Sequence, residues 1–265
     1  MLVTGASAGI GAELAHQLAG RGYNLVLVAR RADRLLALAE ELRLSHAIHA
    51  DVEACDLTEP DARRALVARM LDGERAIAGV CNNAGFGTVA TLLDSDLERE
   101  QQVVRLNVEA LQHLTGAFLR PMVDRGAGAI LNVASIAAFQ PLPGFATYAA
   151  SKAFVQSFSE AVHEELTGTG VSVTCLCPGF TRTEFGEAAG AAEKEAEIPG
   201  FLFMEAPAVA RAGVDAMERG ARTDVPGVVN ALAAAGARYL PRTISMPVQN
   251  AIAAALPDLR RVLKI

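Results

Sequence analysis

Short apolar runs alternate with longer amphipathic segments along the first two-thirds of the chain. Leu2-Val3-Thr4 reads as a strand stub, and residues 10–19 place Ile10, Leu14 and Leu18 on one helix face. Residues 23–29 form a Val/Leu-rich run of the kind buried in a parallel sheet. A charged helix is expected over 31–43, with Leu35, Leu38 and Leu42 on one side. A third strand over 47–55, a helix capped by Asp56-Leu57-Thr58 and reaching Met70, and a fourth strand over 77–81 continue the pattern. Residues 96–124 predict a long helix with Val104, Val108, Leu111 and Phe118 on one stripe, kinked or ended by Pro121. A strand over 129–133, a helix over 147–166 stopped near Gly168 and Gly170, and a strand over 171–177 broken at Pro178-Gly179 complete it. Such alternation predicts an α/β fold with a doubly wound parallel sheet and right-handed crossovers.

Beyond Pro178 the pattern loosens. The connection over 184–206 is rich in Ala, Glu and Gly and carries the apolar knot Phe201-Leu202-Phe203-Met204, which suits a substrate loop. A helix is expected over 208–219 and a short strand at most over 223–225. From 228 to 265, Ala/Leu-rich helical segments are punctuated by Pro241, Pro247 and Pro257. The expected organisation is one sheet domain over 1–227, with 228–265 as a helical extension packed on it. The first strand has only four residues ahead of Gly5. Either it is short or the natural start lies upstream of Met1, and an intact mass separates the two.

Composition narrows the class. Hydrophobic residues make up 51%, charged residues 20%, and the net charge is −6, which argues against a nucleic-acid binder. Cys55, Cys81, Cys175 and Cys177 lack C-x-x-C spacing and no secretory leader precedes them, so buried thiols in a reducing, cytoplasmic setting are expected. Cys175 and Cys177 share one strand face. His46 and His49 find no third ligand at helical spacing, so no metal site is read. Residues 126–151 carry no charge, but Gly126, Gly128, Pro141, Pro143 and Gly144 interrupt them, so no membrane span is expected. Arg260, Arg261 and Lys264 in the apolar tail admit a peripheral membrane reading; helices over a pocket or interface explain that tail more simply.

The candidate chemistry centres on Tyr148-Ala-Ala-Ser-Lys152. Side chains at i and i+4 share a helix face, and an ammonium beside a phenol is expected to lower its pKa into a useful range. Ser135 ends the strand-like run Asn132-Val-Ala-Ser135, where α/β sheets present ligand-binding groups. Thr4-Gly-Ala-Ser-Ala-Gly-Ile-Gly11 sits at the first strand–helix junction. Alone it could be merely a tight turn; its place favours a loop that brings Gly5, Ser7, Gly9, Ile10 and Gly11 close to a pyrophosphate.

Together with Asn82-Asn83-Ala84-Gly85, Asn107 and Pro178-Gly179-x-x-x-Thr183, these motifs resemble the short-chain dehydrogenase/reductase family, classical type. The match runs in order from Thr4 to Thr183. The resemblance implies a Rossmann fold and an oxidoreductase that interconverts a carbonyl and a secondary alcohol. It implies that Tyr148 exchanges the proton, Lys152 tunes it and holds the nicotinamide ribose, Ser135 orients the substrate oxygen, and Asn107 holds a relaying water. Asn107 taken alone reads equally as a helix-surface amide. By the same resemblance Asn83, Ala84 and Gly85 line the cofactor, Thr181 and Thr183 meet the carboxamide, and Asp56 and Leu57 meet the adenine.

Cofactor choice is read at the end of the second strand, where NAD sites carry an acidic residue. Arg30-Arg31 stands there instead, which suits a 2′-phosphate and predicts NADP(H) over NAD(H). The plainer reading is a solvated helix start, which Asp33 and Arg34 support for one arginine. A catalytically silent NADP(H)-binding sensor or scaffold is the alternative function; the complete set Asn107, Ser135, Tyr148 and Lys152 speaks for an enzyme. The apolar knot and tail point to a pocket that tolerates an apolar carbonyl compound. A homodimer or homotetramer is expected through the helices over 96–124 and 147–166, with Ala110, Ala117 and Ala161 as small outer positions.

Overall fold

A computed structural model of the chain describes residues 1–73, 75–190 and 198–239. Part of the expected substrate loop, and Pro241, Pro247, Pro257, Arg260, Arg261 and Lys264, lie outside the described residues. The strands are β1 (Leu2–Thr4), β2 (Leu25–Ala29), β3 (Ala50–Ala54), β4 (Gly79–Asn82), β5 (Gly128–Val133), β6 (Val171–Leu176) and β9 (Thr223–Asp224). They form one parallel sheet in the order β3-β2-β1-β4-β5-β6-β9. The expected doubly wound sheet is present, and the residues over 223–225 do join it, as an edge strand paired with Cys175 and Leu176.

Alternation along each strand splits the core into two faces. Leu2 belongs to the layer beneath α3 (Pro60–Asp72), α5 (Leu111–Asp124) and α6 (Ala146–Glu165). Val3 belongs to the opposite layer, beneath α1 (Gly9–Ala19), α2 (Ala32–His46) and α8 (Ala206–Glu218). Strands covered on both sides need apolar residues at every position, and Leu2, Val3, Leu27, Val28, Ile130 and Leu131 are all fully buried. The order reverses between β1 and β4, so a crevice opens at the carboxyl ends of those strands.

The long helix departs from expectation. Asp96 caps α4 (Leu97–Val104) by accepting the amides of Glu98 and Arg99 at 3.0 and 3.4 Å. A π-helical turn, Arg105–Ala110, then joins it to α5, which runs through Pro121 to Asp124. Pro121 therefore does not end the helix. Val104 is 39% exposed, and the inward stripe is Val103, Asn107, Leu111, Leu114 and Phe118. Ala110 is buried and Ala117 packs against the core, so neither is an outer position; of the three, only Ala161 is exposed.

After β6 the chain forms β7 (Thr181–Arg182), α7 (Phe185–Ala188) and β8 (Met204–Glu205). β7 pairs with β8 through Thr181↔Met204 and Arg182↔Glu205, which ties both ends of the expected loop together. Two-residue strands carry no periodicity, so this pair left no trace in the hydrophobic pattern. Of the expected C-terminal helices, α9 (Val228–Tyr239) is described. Among the described residues, no helix is long and apolar enough to cross a membrane.

Candidate active site

The floor of the crevice is the loop after β1. Gly5 and Gly9 adopt φ of +67° and +56°, and a Cβ on Gly11 would lie 2.2 Å from the Gly5 carbonyl oxygen. Only residues without side chains permit that path. Thr4 fastens the loop to β4: its hydroxyl accepts the amides of Asn83 and Ala84 at 2.9 and 3.0 Å and donates to the Cys81 carbonyl at 3.2 Å. Asn83 Nδ2 donates to the Thr4 carbonyl at 3.0 Å, so its side chain ties the two segments together. Ala8 precedes α1 and has no capping oxygen, which leaves first-turn amides without a side-chain acceptor, a setting that suits an anion. Ile10 packs against the core from the first turn.

Helix α6 supplies the reactive pair. Tyr148 and Lys152 are 8% and 5% exposed, and the Lys152 Nζ stands 5.7 Å from the Tyr148 ring centroid. The Ser135 hydroxyl neighbours the Tyr148 phenol and caps the short turn Ile136–Phe139 by accepting the Ala137 amide at 3.1 Å. Lys152 Nζ donates to the Val133 carbonyl at 2.8 Å. Burial pushes the Tyr148 phenol up to about 12, with the neighbouring Ser135 hydroxyl opposing, and pulls Lys152 down to about 8. This reverses the expected direction for the tyrosine. The dry surroundings that bring the ammonium close also penalise the phenolate, and the same burial weakens the ammonium.

Asn107 is 1% exposed, in the π-helical turn, and is no surface amide. Its Nδ2 donates to the Phe86 carbonyl at 2.9 Å and to Ser151 Oγ at 3.0 Å; its Oδ1 accepts the Phe86 amide at 3.1 Å. A Cβ on Gly85 would lie 3.0 Å from Asn107 Oδ1 and 3.3 Å from Lys152 Nζ. Both groups therefore converge on the strand-end loop at Gly85, where a side chain would press on them. π-helical turns concentrate at functional sites, and this one carries a chemistry-bearing residue.

The outer residues are arranged less uniformly. Arg31 donates Nε and Nη2 to Ser7 Oγ at 3.2 and 3.1 Å, and Arg30 lies 4.0 Å from Asp56. Asp56 accepts the Thr58 amide and hydroxyl at 2.9 and 2.7 Å, while the Leu57 side chain is buried in the core. Pro178 accepts the Ile136 amide at 2.9 Å, and Gly179 makes room for Asn230 of α9. Thr181 donates to the Gly179 carbonyl at 3.0 Å; Thr183 packs on Gly9 and accepts the Phe185 amide at 3.2 Å.

Several contributors escaped sequence reasoning. Ser151, which donates to the Tyr148 carbonyl at 2.7 Å and accepts from Asn107 at 3.0 Å, lay inside the quoted motif but was not singled out. Phe145 and Phe185 flank the Tyr148 ring at 4.5 and 5.3 Å. Phe145 precedes the motif by one helical turn and could have been read, whereas Phe185 arrives from a distant segment. Arg34 and Glu184 form an ion pair at 2.6 Å that no sequence spacing indicates. The knot at 201–204 is mixed: Phe201 is 78% exposed, and Phe203 lies against Phe180 at 5.7 Å.

A parallel Rossmann-type sheet with a glycine-loop crevice and a Tyr/Lys/Ser/Asn cluster beside it is the arrangement of an oxidoreductase. The chain belongs to the short-chain dehydrogenase family, whose model matches residues 1–194. It is 40% identical over 187 residues to a sulfoacetaldehyde reductase of Chromohalobacter salexigens, covering 70% of this chain and 73% of that protein. It is 36% identical over 186 residues to a serine 3-dehydrogenase of Agrobacterium fabrum, covering 70% and 73%. Among solved structures it resembles a short-chain dehydrogenase from Sphingobium yanoikuyae in complex with NADPH, with a TM-score of 0.79 and 34% identity, covering 88% of this chain and 92% of that one.

Proposed function

We propose that the protein is an NADP(H)-dependent oxidoreductase that interconverts a carbonyl compound and a secondary alcohol, with Tyr148 as the general acid and base. The observation that carries this is the buried Tyr148 and Lys152 side by side on α6, with Lys152 Nζ 5.7 Å from the Tyr148 ring centroid and Ser135 next to the phenol. The phenol gives its proton to the carbonyl oxygen during reduction and recovers it during oxidation. Ser135 holds that oxygen, Lys152 holds the ribose hydroxyls, and Asn107, fixed by Phe86 and Ser151, completes the proton path at Lys152. Bound nicotinamide supplies or accepts the hydride. The flanking rings of Phe145 and Phe185 favour a substrate with an apolar substituent at the carbonyl. The names of the sulfoacetaldehyde reductase and serine dehydrogenase support the carbonyl–alcohol class.

Ser7 and Arg31 meet at the glycine loop with Arg30 next in sequence, and the two guanidinium groups with the Ser7 hydroxyl fit a phosphate monoester. The NADPH bound by the Sphingobium protein is consistent with that choice.

The test is Tyr148→Phe. It removes one hydroxyl and keeps the ring between Phe145 and Phe185, so NADPH affinity should stay within a few-fold. Turnover of a carbonyl found by screening should fall by about 10²–10⁴, the contribution of a positioned general acid. A variant that turns over near the wild-type rate removes Tyr148 from the chemistry. Wild-type protein that binds NADPH tightly yet reduces nothing in a broad carbonyl panel favours the sensor reading.

A further inference from the structure

Glu184 lies on the guanidinium groups expected to read the cofactor. One of its carboxylate oxygens accepts from Arg31 Nη1 at 3.0 Å, and the other from Arg34 Nη1 at 2.6 Å. Arg31 meanwhile holds Ser7 Oγ with its Nε and Nη2. Carboxylate, two guanidinium forks and a hydroxyl thus join the glycine loop, the first turn of α2 and the chain after β7. All three charged side chains are 43–49% exposed, so these pairs add little to stability and remain open to exchange. Hydrogen bonds from Arg34 and then Arg31 hold the Glu184 carboxyl below its ordinary range. A phosphate monoester presents the same acceptors to the same forks, with more charge.

We propose that Glu184 is a specificity-determining residue: it is an internal counter-ion on the guanidinium site that receives the 2′-phosphate of NADP(H), and Arg34 is a third cation of that site. The inference rests on the NADP(H) reading above. A phosphate that engages Arg31 must displace the carboxylate or bind against its charge. Either way Glu184 lowers affinity for NADP(H) and leaves NAD(H) unaffected, so the preference is set below what the arginines alone would give. The exchange also reaches the reactive pair, because Thr183 rests on Gly9 and Phe185 on Tyr148, one residue to either side of Glu184.

Fluorescence titration of NADPH and of NADH tests this with wild type, Glu184→Gln, Arg34→Met and the double variant Arg30→Ala/Arg31→Ala. Glu184→Gln keeps the side-chain volume and should tighten NADPH about tenfold, or about 1.4 kcal/mol, with NADH unchanged within twofold. Arg34→Met should weaken NADPH alone. Adding Glu184→Gln to an Arg31→Ala/Arg34→Met background should change neither affinity, since the carboxylate then has no site to block. Unchanged or weaker NADPH binding by Glu184→Gln, or equal tightening of NADH, overturns the proposal. The arginine double variant separates the two levels of the argument. If it weakens both cofactors equally, the phosphate reading itself fails. If it weakens NADPH tenfold or more and spares NADH while Glu184→Gln does nothing, only the role of Glu184 is lost.

Discussion

Replacing Lys152 by methionine should change the pH dependence of stability in a way fixed by its burial. The ammonium is pulled from an ordinary 10.5 to about 8 by desolvation, with the thiols of Cys175 and Cys177 opposing. At 1.36 kcal/mol per unit, that shift means holding the charge at neutral pH costs the folded protein about 3 kcal/mol. Methionine removes that cost but also removes the hydrogen bond to the Val133 carbonyl, a loss of about 1–3 kcal/mol. The two terms nearly offset at pH 7, so a single measurement there decides little. The slope decides.

Between pH 8 and 10.5 the unfolded chain keeps the lysine proton and the folded chain gives it up. More protons bound in the unfolded state means stability that rises with pH across that window. Below the folded value both states are protonated and the full cost is present. The variant lacks this term, and Tyr148 titrates in both proteins and cancels. Wild-type stability minus variant stability should therefore grow by about 3 kcal/mol from pH 7 to 10.5, or about 5 °C in melting temperature for a chain of this length. Urea unfolding of both cofactor-free proteins at a series of pH values measures it. Parallel curves would refute the claim that Lys152 is held at a depressed pKa.

The opposed shifts of the pair also predict direction-dependent pH profiles. With the phenol near 12, alcohol oxidation, which needs the phenolate, should climb by close to tenfold per unit between about pH 6 and 9, while carbonyl reduction shows no such rise; oxidation that is flat over that range removes Tyr148 as the base. A homo-oligomer is expected through the outer faces of α4 and α6, where Val104, Phe154 and Ala161 are exposed and Phe154 stacks on Phe158 at 5.6 Å. Light scattering that returns a 27.7 kDa particle at micromolar concentration counts against it.

The sheet was legible because parallel strands buried on both faces must be apolar throughout, and the glycine loop because Gly5, Gly9 and Gly11 fill positions where a Cβ would be strained or clash. The reactive residues were legible for the same reason: Tyr148 and Lys152 stand four apart on one helix, so local geometry alone brings them together. What escaped depends on contacts made across the fold. The phase of the stripe through Val103 and Asn107 shows only once α4 packs. The direction of the tyrosine shift depends on how dry the crevice is, which residue spacing does not encode. Glu184 lies 150 residues from Arg34 in the chain, and only the return of the segment after β6 to the glycine loop brings them together.

The polar residues beneath the crevice show why the site could be assembled from such distant pieces. Asn82 Nδ2 donates to Thr115 and to Asn132 at 3.1 and 2.9 Å, and Asn132 Nδ2 donates to Ser159 at 2.9 Å. That chain joins β4, α5, β5 and α6 immediately below Asn83, Ser135 and the Tyr148 helix. Each of these side chains is buried, where an unmade hydrogen bond would cost about 1–3 kcal/mol, so the network fixes the depth at which α6 lies on the sheet. Thr4 does the same between β1 and β4, and Asn107 between the π-helical turn and the Gly85 loop. The groups proposed to react are therefore held by strand ends and helices. Substitutions below the crevice should shift the Tyr148 phenol relative to Ser135 without touching either residue, because the register between β5 and α6 sets where the phenol stands.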